Sequence, residues 1–528
     1  VDPITATFII LGLAIVAFLS GRVPLGIVAI GVALALWATG VLTLPEALAG
    51  FADPTVVFIA TLFVVAESLD ATGVTAWLAQ RIVPLAGTRP SRLIAIVAVC
   101  VAVLAAFISI NGAVAALLPV VVVIAVRAHL VPSRLLIPLA FAASAGSLLT
   151  LAGTPVNPVV SDAAAAAGGR AFGFFEFALA GVPLVALTVL IVAVLGPRLL
   201  PDRTPSQLGD AAPDMRATAR AFRRDYDVSL DTDALITAEQ GVAEVLVAPR
   251  STLIGQEVCA GMTTQTESLV ILGIRRGEDG EPDAARAGAM TVLRAGDAVL
   301  VQGPWPALER YVRSPDVIAV TSPQVLRRAV PLGRGAKRAL VILGLMVVLL
   351  ATGLVPPAVA GLLAAGALVV SRVLTGPQVY RSIGWTTVVL IAGMIPLSSA
   401  FVSTGAADVV ADGVLGITGT ASPHIALLVI CTVTLVLGQF ISNVATVLVV
   451  APIAVSVAAS LGVSIQPFMM ALTIAGAAAF LTPIATPVNL MVMQPGGYRF
   501  GDYWRLGLPL VVVYLAVAVL YVPLVWPF

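Results

Sequence analysis

The chain is written in long apolar runs separated by short polar breaks. A bilayer-spanning helix needs about 20 consecutive apolar residues. Runs of that kind fall at 4–20, 23–41, 54–70, 178–197, 338–354, 356–371, 385–401 and 506–526. Four further apolar segments carry polar centres. Segment 91–127 is too long for one helix of ordinary tilt and is interrupted at Ser109-Ile110-Asn111-Gly112, which predicts a re-entrant hairpin. Segment 133–168 is interrupted at Gly153-Thr154-Pro155, which predicts a broken span. The pair recurs as a hairpin over 423–460 and a broken span over 466–495. Ile4 to Ser20 lacks a basic flank and a small-residue cleavage site, so it reads as a retained membrane helix and not a signal peptide.

The recurrence is an internal duplication. Shifted by 332 positions, Val23-Pro24 meets Val355-Pro356, Thr55-Val56-Val57 meets Thr387-Val388-Val389, and Thr72-Gly73 meets Thr404-Gly405. Thr150 and Thr154-Pro155-Val156-Asn157 meet Thr482 and Thr486-Pro487-Val488-Asn489 at the same shift. Apolar runs match by chance, but Thr, Pro and Asn at one constant offset do not. Gly181-Val182-Pro183-Leu184 and Gly507-Leu508-Pro509-Leu510 pair at a slightly smaller offset. A hairpin returns to its own side, so each half crosses an odd number of times and the second half enters inverted. With the central insert cytoplasmic, the inside loops receive nearly every arginine and the outside loops only Arg170. The expected fold is therefore an α-helical polytopic membrane protein: two inverted repeats of five crossings plus a re-entrant hairpin each, and a small α+β soluble insert. Both termini are expected outside a cell inner (plasma) membrane. The domain boundaries read as 1–200 first repeat, 201–232 basic linker, 233–322 regulatory domain, 323–337 linker and 338–528 second repeat.

Composition sharpens this picture. Of 528 residues 59% are hydrophobic and only 11% charged, so lipid is the solvent for most of the chain. Cys100, Cys259 and Cys431 lie too far apart for a disulfide framework or a metal knuckle, and His129 and His424 form no ligand set. No P-loop, nucleophile elbow or His-Glu-x-x-His motif occurs, so neither an enzyme nor a resident cofactor is expected, and no nucleic-acid partner.

Chemistry is expected where helices break, because backbone groups freed in lipid persist only where they line a cavity or bind something. The expected substrate-binding residues are Ser109, Asn111, Gly112, Thr154, Pro155, Ser442, Asn443, Thr446, Thr486 and Pro487. The expected cation-binding residues are Ser109, Asn111, Thr150, Gly153, Asn157, Ser442, Asn443, Thr482, Ala485 and Asn489. Their hydroxyls, amides and freed carbonyls suit a small hard cation such as Na⁺, and helix starts point N–H groups at an anion. Pro155 and Pro487 supply the breaks. A lone Thr-Pro in a membrane helix is ordinarily a mere kink; its repetition opposite a polar tip argues for a site. Glu67 and Asp70 read as interfacial acids or as part of a cation path. Asp53, Glu176, Asp408, Asp412 and Asp502 read as loop or interface residues.

From Leu235 the pattern turns to short strands and turns. Ala243 to Ala248 reads as a strand, Ser251 to Gly255 as a turn into a helix, and Ser268 to Arg276 as a strand. Leu293 to Val301 reads as a turn and a strand, and Pro306 to Val312 as a closing helix.

The membrane portion resembles the divalent anion:sodium symporter family of the ion-transporter superfamily, through Ser442-Asn443-x-Ala445-Thr446 and Thr482 to Asn489 with their first-half counterparts. The resemblance implies Na⁺ sites at tips and breaks, homodimers, and elevator-type import of a small inorganic or organic anion. The tips depart from the family's Ser-Asn-Thr: Val444 replaces Thr in one, and Ile110-Asn111 stand for Asn-Thr in the other. That departure favours sulfate over a dicarboxylate. The insert is similar to the RCK-C modules of potassium-uptake regulators through Val245 to Gly255, Ser268 to Arg276 and Gly296-Asp297, which implies dimerisation and a nucleotide or other small effector. Competing readings are an exchanger or oxyanion efflux carrier of the same superfamily, and an RCK-gated channel. The channel would want a carbonyl filter, which the sequence lacks.

Overall fold

A computed structural model describes residues 2–20, 22–75, 77, 90–127, 130–203, 226, 240–276, 290–320, 335–406, 409, 413 and 422–528. The chain divides into two units, one of Val1–Ser68, Ile82–Leu208 and Leu340–Phe528, the other of Leu69–Arg81 and Gly209–Ala339. Asp408, Asp412 and most of both linkers fall outside the described residues.

The larger unit is helical. In its first half helices run over Pro3–Ser20, Leu25–Ala38, Leu44–Leu48, Pro54–Ala71, Pro90–Ala105, Ile110–Arg127, Leu136–Gly146, Val156–Ala166 and Ala178–Leu199. In its second half they run over Ala336–Thr352, Pro357–Val370, Gly376–Ser382, Trp385–Thr404, Pro423–Leu437, Asn443–Ser460, Gln466–Ala477, Pro487–Met493 and Tyr503–Ala516. The last continues through a π-helical turn, Val517–Tyr521, into Val522–Val525. Among the described residues six helical stretches are long and apolar enough to cross a membrane. Pro54, Pro90, Pro357, Pro423 and Pro487 each open a helix, where a missing N–H costs nothing.

Details recur at the sequence offset. The short helices Leu44–Leu48 and Gly376–Ser382, which the hydropathy pattern does not predict, begin with equivalent capping boxes. In one the Thr43 N–H donates to Glu46 at 2.8 Å, and in the other the Thr375 N–H donates to Gln378 at 2.8 Å. Helix Leu25–Ala38 packs on Trp385–Thr404, with Gly393 against the Ala29 backbone. Their counterparts meet likewise, Gly361 against Thr61. A second cluster joins both hairpins, both broken spans and the two last helices. There Gly181 lies on the Leu148 carbonyl and Gly507 on the Phe480 carbonyl, and a methyl on either glycine would sit 2.2 Å from that oxygen. Leu148 and Phe480 are themselves equivalent positions. Thr188 and Tyr514, equivalent at the offset that relates these two glycines, share a 3.3 Å hydrogen bond.

The chain leaves the helical unit through a polar clamp. The Arg134 guanidinium donates two 2.5 Å hydrogen bonds to Asp202, and the Ser133 hydroxyl donates to the Pro201 carbonyl at 2.9 Å. Arg203 donates to the buried Asp502 at 3.1 Å. The Tyr498 hydroxyl donates to the Ser133 carbonyl and accepts the Ile137 N–H.

The smaller unit contains a four-stranded antiparallel sheet in the order β3-β5-β1-β6, from β1 (Gln240–Val247), β3 (Val270–Arg275), β5 (Ala298–Pro304) and β6 (Val317–Ala319). Val242, Val245, Leu269, Leu300, Trp305 and Leu308 fill its core under the helix Trp305–Tyr311. Ser251 to Gly255 forms turns leading into a two-residue strand, β2 (Glu257–Val258), paired with β4 (Thr291–Val292), instead of the expected helix. The reason is a contact distant in sequence. Asp316 accepts the Thr252 N–H at 2.7 Å and the hydroxyls of Thr252 and Ser251, so the polar groups suited to a helix cap close a turn instead. Gly255 at φ +88° then redirects the chain. Burial alone would raise the Asp297 carboxyl, but hydrogen bonds from Arg276 and from the Arg294 N–H outweigh it and hold it below its usual range.

The close approach at Gly507 is testable. Gly507→Ala forces a methyl onto the Phe480 carbonyl, an overpacking cost on the order of 1–3 kcal/mol. Gly366→Ala meets nothing within 4 Å. Thermal melting of the purified protein is expected to drop by several degrees for Gly507→Ala and to hold or rise for Gly366→Ala.

Candidate functional site

A helix break leaves N–H and C=O groups without intrahelical partners, and each costs free energy if buried unpaired. At the first break, between Leu136–Gly146 and Val156–Ala166, the buried Asn157 amide closes the gap. Its Nδ2 donates to the carbonyls of Ser147 at 2.9 Å and Thr150 at 2.7 Å. At the second break Asn489 repeats this, donating to the carbonyls of Ala479 at 2.9 Å and Thr482 at 3.0 Å. Both side chains reach back ten and seven residues. The Tyr503 hydroxyl secures the second break further by donating to the Asn489 carbonyl at 2.6 Å.

Each break is also tied to the hairpin tip of its own half. The Thr150 hydroxyl donates to the Ala106 carbonyl, and the Thr482 hydroxyl to the Gln439 carbonyl at 2.8 Å. These bonds make Ala106 and Gln439 counterparts, so the hairpins correspond at 333 positions while the breaks correspond at 332. Ser109 and Ser442 then match as the caps of the second hairpin helices. Ser109 accepts the Gly112 N–H at 3.2 Å, and Ser442 accepts the Ala445 N–H at 3.3 Å. The Thr486 hydroxyl caps Pro487–Met493 by accepting the Asn489 N–H at 3.3 Å, whereas at the first break the Thr154 carbonyl accepts the Asn157 N–H at 3.1 Å.

The halves interlock across these elements. Helix Val156–Ala166 of the first break packs on Asn443–Ser460 and Gln466–Ala477, and Pro487–Met493 packs on Ile110–Arg127 and Leu136–Gly146. Besides Gln466 Oε1 at the start of Gln466–Ala477, three buried side-chain oxygens here have no partner among the described residues: Asn157 Oδ1, Asn443 Oδ1 and Thr446 Oγ1. All three lie in the first turns of two helices packed on each other, Val156–Ala166 and Asn443–Ser460. The first tip has no such atoms at the matching places, which are Ile110 and Ala113. Asn111 there is exposed.

The expected site residues therefore separate by role. Thr150, Asn157, Thr482 and Asn489 hold the breaks together, and Asn157 also offers an unpaired oxygen. Gly153 lies against the Ser147 carbonyl, where a methyl would come within 2.2 Å. Thr154, Thr486 and Ala485 are buried in the breaks, while Pro155 is partly exposed and Pro487 exposed. The residue the pattern missed is Gln439, a buried amide three positions before Ser442. Its signal was a long polar side chain inside an apolar run. Around it, residues 423–493 hold no Asp, Glu, Lys or Arg. Among the described residues no group of three His, Cys, Asp or Glu is placed to hold a metal.

Asn489→Leu removes two buried hydrogen bonds and leaves their carbonyls unpaired, at about 1–3 kcal/mol each. The melting temperature of that variant is expected to fall well below that of the native protein, and that of Asn111→Ala, at an exposed position, to stay near it.

Residues 15–475 and 419–528 match the family model described as citrate transporter. The uncharacterized transporter YfbS of Escherichia coli is 31% identical over 98% of this chain and 98% of its own length. Sodium/sulfate cotransporter 2 of Chlamydomonas reinhardtii is 26% identical over 44% of this chain, a stretch that is 28% of that protein. Among solved structures, the Alcanivorax borkumensis YdaH transporter superposes with a TM-score of 0.48 at 15% identity, over 89% of this chain and 85% of that one. With the family model spanning nearly the whole chain and a relative of matching length, the chain belongs to the citrate transporter family and is a multi-pass membrane transporter.

Proposed function

We propose that the protein imports a small divalent anion, sulfate ahead of dicarboxylates, together with Na⁺, by an elevator-type movement of the hairpins and broken spans against the remaining helices. The observation that carries this reading is the set of buried unpaired oxygens on Asn157, Asn443 and Thr446. Neutral oxygens of this kind suit a dehydrated Na⁺, and an unpaired buried acceptor costs about 1–3 kcal/mol unless something occupies it. The anion's charge has no fixed cation to meet it over 423–493, so helix N-termini and a co-bound Na⁺ supply the compensation. The likeness to sodium/sulfate cotransporters supports the same pairing of ions.

The elevator reading is supported by the two helix clusters, one holding both hairpins and breaks, the other the second and third spans of both halves. On this reading the repeats are inverted, the insert is cytoplasmic with both termini outside, and the protein is a homodimer. The insert acts as an RCK-C-like regulatory module that binds a small effector. The arginine distribution supports that orientation.

Uptake of radiolabelled sulfate into proteoliposomes, with and without an inward Na⁺ gradient, tests the proposal, with succinate and citrate as competitors. Sodium-driven uptake is expected, reduced at least about ten-fold by Asn443→Ala or Thr446→Val, the loss of about 1.4 kcal/mol or more of binding. Uptake of sulfate indifferent to Na⁺ contradicts the coupling, and full inhibition by citrate or succinate moves the cargo to carboxylates.

A further inference from the structure

The two hairpin tips are held to their breaks by unequal means. In the first half the Thr150 hydroxyl meets the Ala106 carbonyl. In the second half the equivalent bond from Thr482 to the Gln439 carbonyl is joined by three more from the Gln439 side chain. Gln439 Oε1 accepts the Leu481 N–H at 2.9 Å, and Nε2 donates to the carbonyls of Ala478 at 3.1 Å and Leu435 at 3.0 Å. The side chain is buried, so its amide is saturated from both ends by the break and by its own helix. Alanine at position 106 can do none of this. The clamped tip is also the one that carries the unpaired oxygens of Asn443 and Thr446.

We propose that Gln439 is a positioning residue, which presets the second tip and its break so that Asn443 and Thr446 are held ready for a cation. The proposal rests on the reading of this site as a Na⁺ site. It gives the two halves different behaviour: the second tip is preorganised, and the first tip is free to adjust as cargo arrives. Preorganisation of this kind raises affinity by removing the ordering cost at binding. Gln439 itself touches no cargo; it acts through the break carbonyls and the start of helix Asn443–Ser460.

The test is Na⁺ titration of the melting temperature of the purified full chain, with choline as control, for native protein and for Gln439→Met, Gln439→Glu and Asn443→Ala. Methionine keeps the volume and removes all three side-chain hydrogen bonds. The half-saturating Na⁺ concentration is expected to rise at least about five-fold in Gln439→Met. A neutral glutamic acid can both accept from Leu481 and donate to Ala478. The titratable groups on the hairpin and the elements packed on it are His424, at the far end of the helix before the tip, Cys431, Asp162 on Val156–Ala166, and Tyr503, the exposed Arg505, Tyr514 and Tyr521 on the last helix. Gln439→Glu is therefore expected to titrate within about two-fold of native at pH 6. Gln439→Met titrating like native, or Gln439→Glu at pH 6 as impaired as Gln439→Met, overturns the role of Gln439. A native protein whose melting ignores Na⁺, or responds equally in Asn443→Ala, overturns the site reading and the proposal with it. Faster hydrogen exchange at the Leu481 amide in Gln439→Met is expected independently of any cation, and unchanged exchange overturns the clamp.

Discussion

Everything in this membrane protein depends on one constraint: a backbone amide freed inside lipid must find a partner within the chain. Two broken spans violate helix continuity in the middle of apolar sequence, and each survives because a buried asparagine donates to two of the carbonyls that the break exposes. A threonine then ties the break to a hairpin tip. Once the breaks are stable, their remaining polar groups become usable chemistry. The proposed site is thus a by-product of repairing the helix, with Asn157 taking part in both: its nitrogen closes the break and its oxygen is left unpaired.

Duplication explains how one solution came to be used twice, and divergence explains why the two copies differ. The repair bonds, the short capped helices and the glycine contacts on Leu148 and Phe480 recur between halves. Contact between the equivalent residues Thr188 and Tyr514 places them beside any axis relating the halves. The tips have separated by one residue in register and by chemistry. The second has Asn443 and Thr446 with Gln439 before them in the chain, where the first has Ile110, Ala113 and Ala106. In the proposed mechanism the clamped second tip is the part of the site held firm, and the first tip is the part able to adjust.

Much of this was legible in the sequence, for physical reasons that can be named. Span positions follow from apolar run length, and the breaks from Thr-Pro repeated at constant offset. Thr150, Asn157, Thr482 and Asn489 stood out because polar residues at matching places in lipid need a reason. Their division between repair and binding was not legible, because it depends on which carbonyls lie within reach of each amide. Gln439 was invisible to a search for repeats since its partner is Ala106. Helices Leu44–Leu48 and Gly376–Ser382 were too short to leave a hydropathy signal, although their capping boxes were readable. The turn at Ser251 to Gly255 was misread as leading into a helix because its partner, Asp316, lies 64 residues or more away.

The proposed cation sits among the oxygens of Asn157, Asn443 and Thr446. Equilibrium binding of radioactive sodium to the purified protein tests it most directly, comparing native protein with Asn443→Ala and Thr446→Val. Saturable binding that both substitutions weaken, and that Asn111→Ala leaves intact, is expected. Saturable binding unaffected by either substitution, or no saturable binding at all, would contradict it.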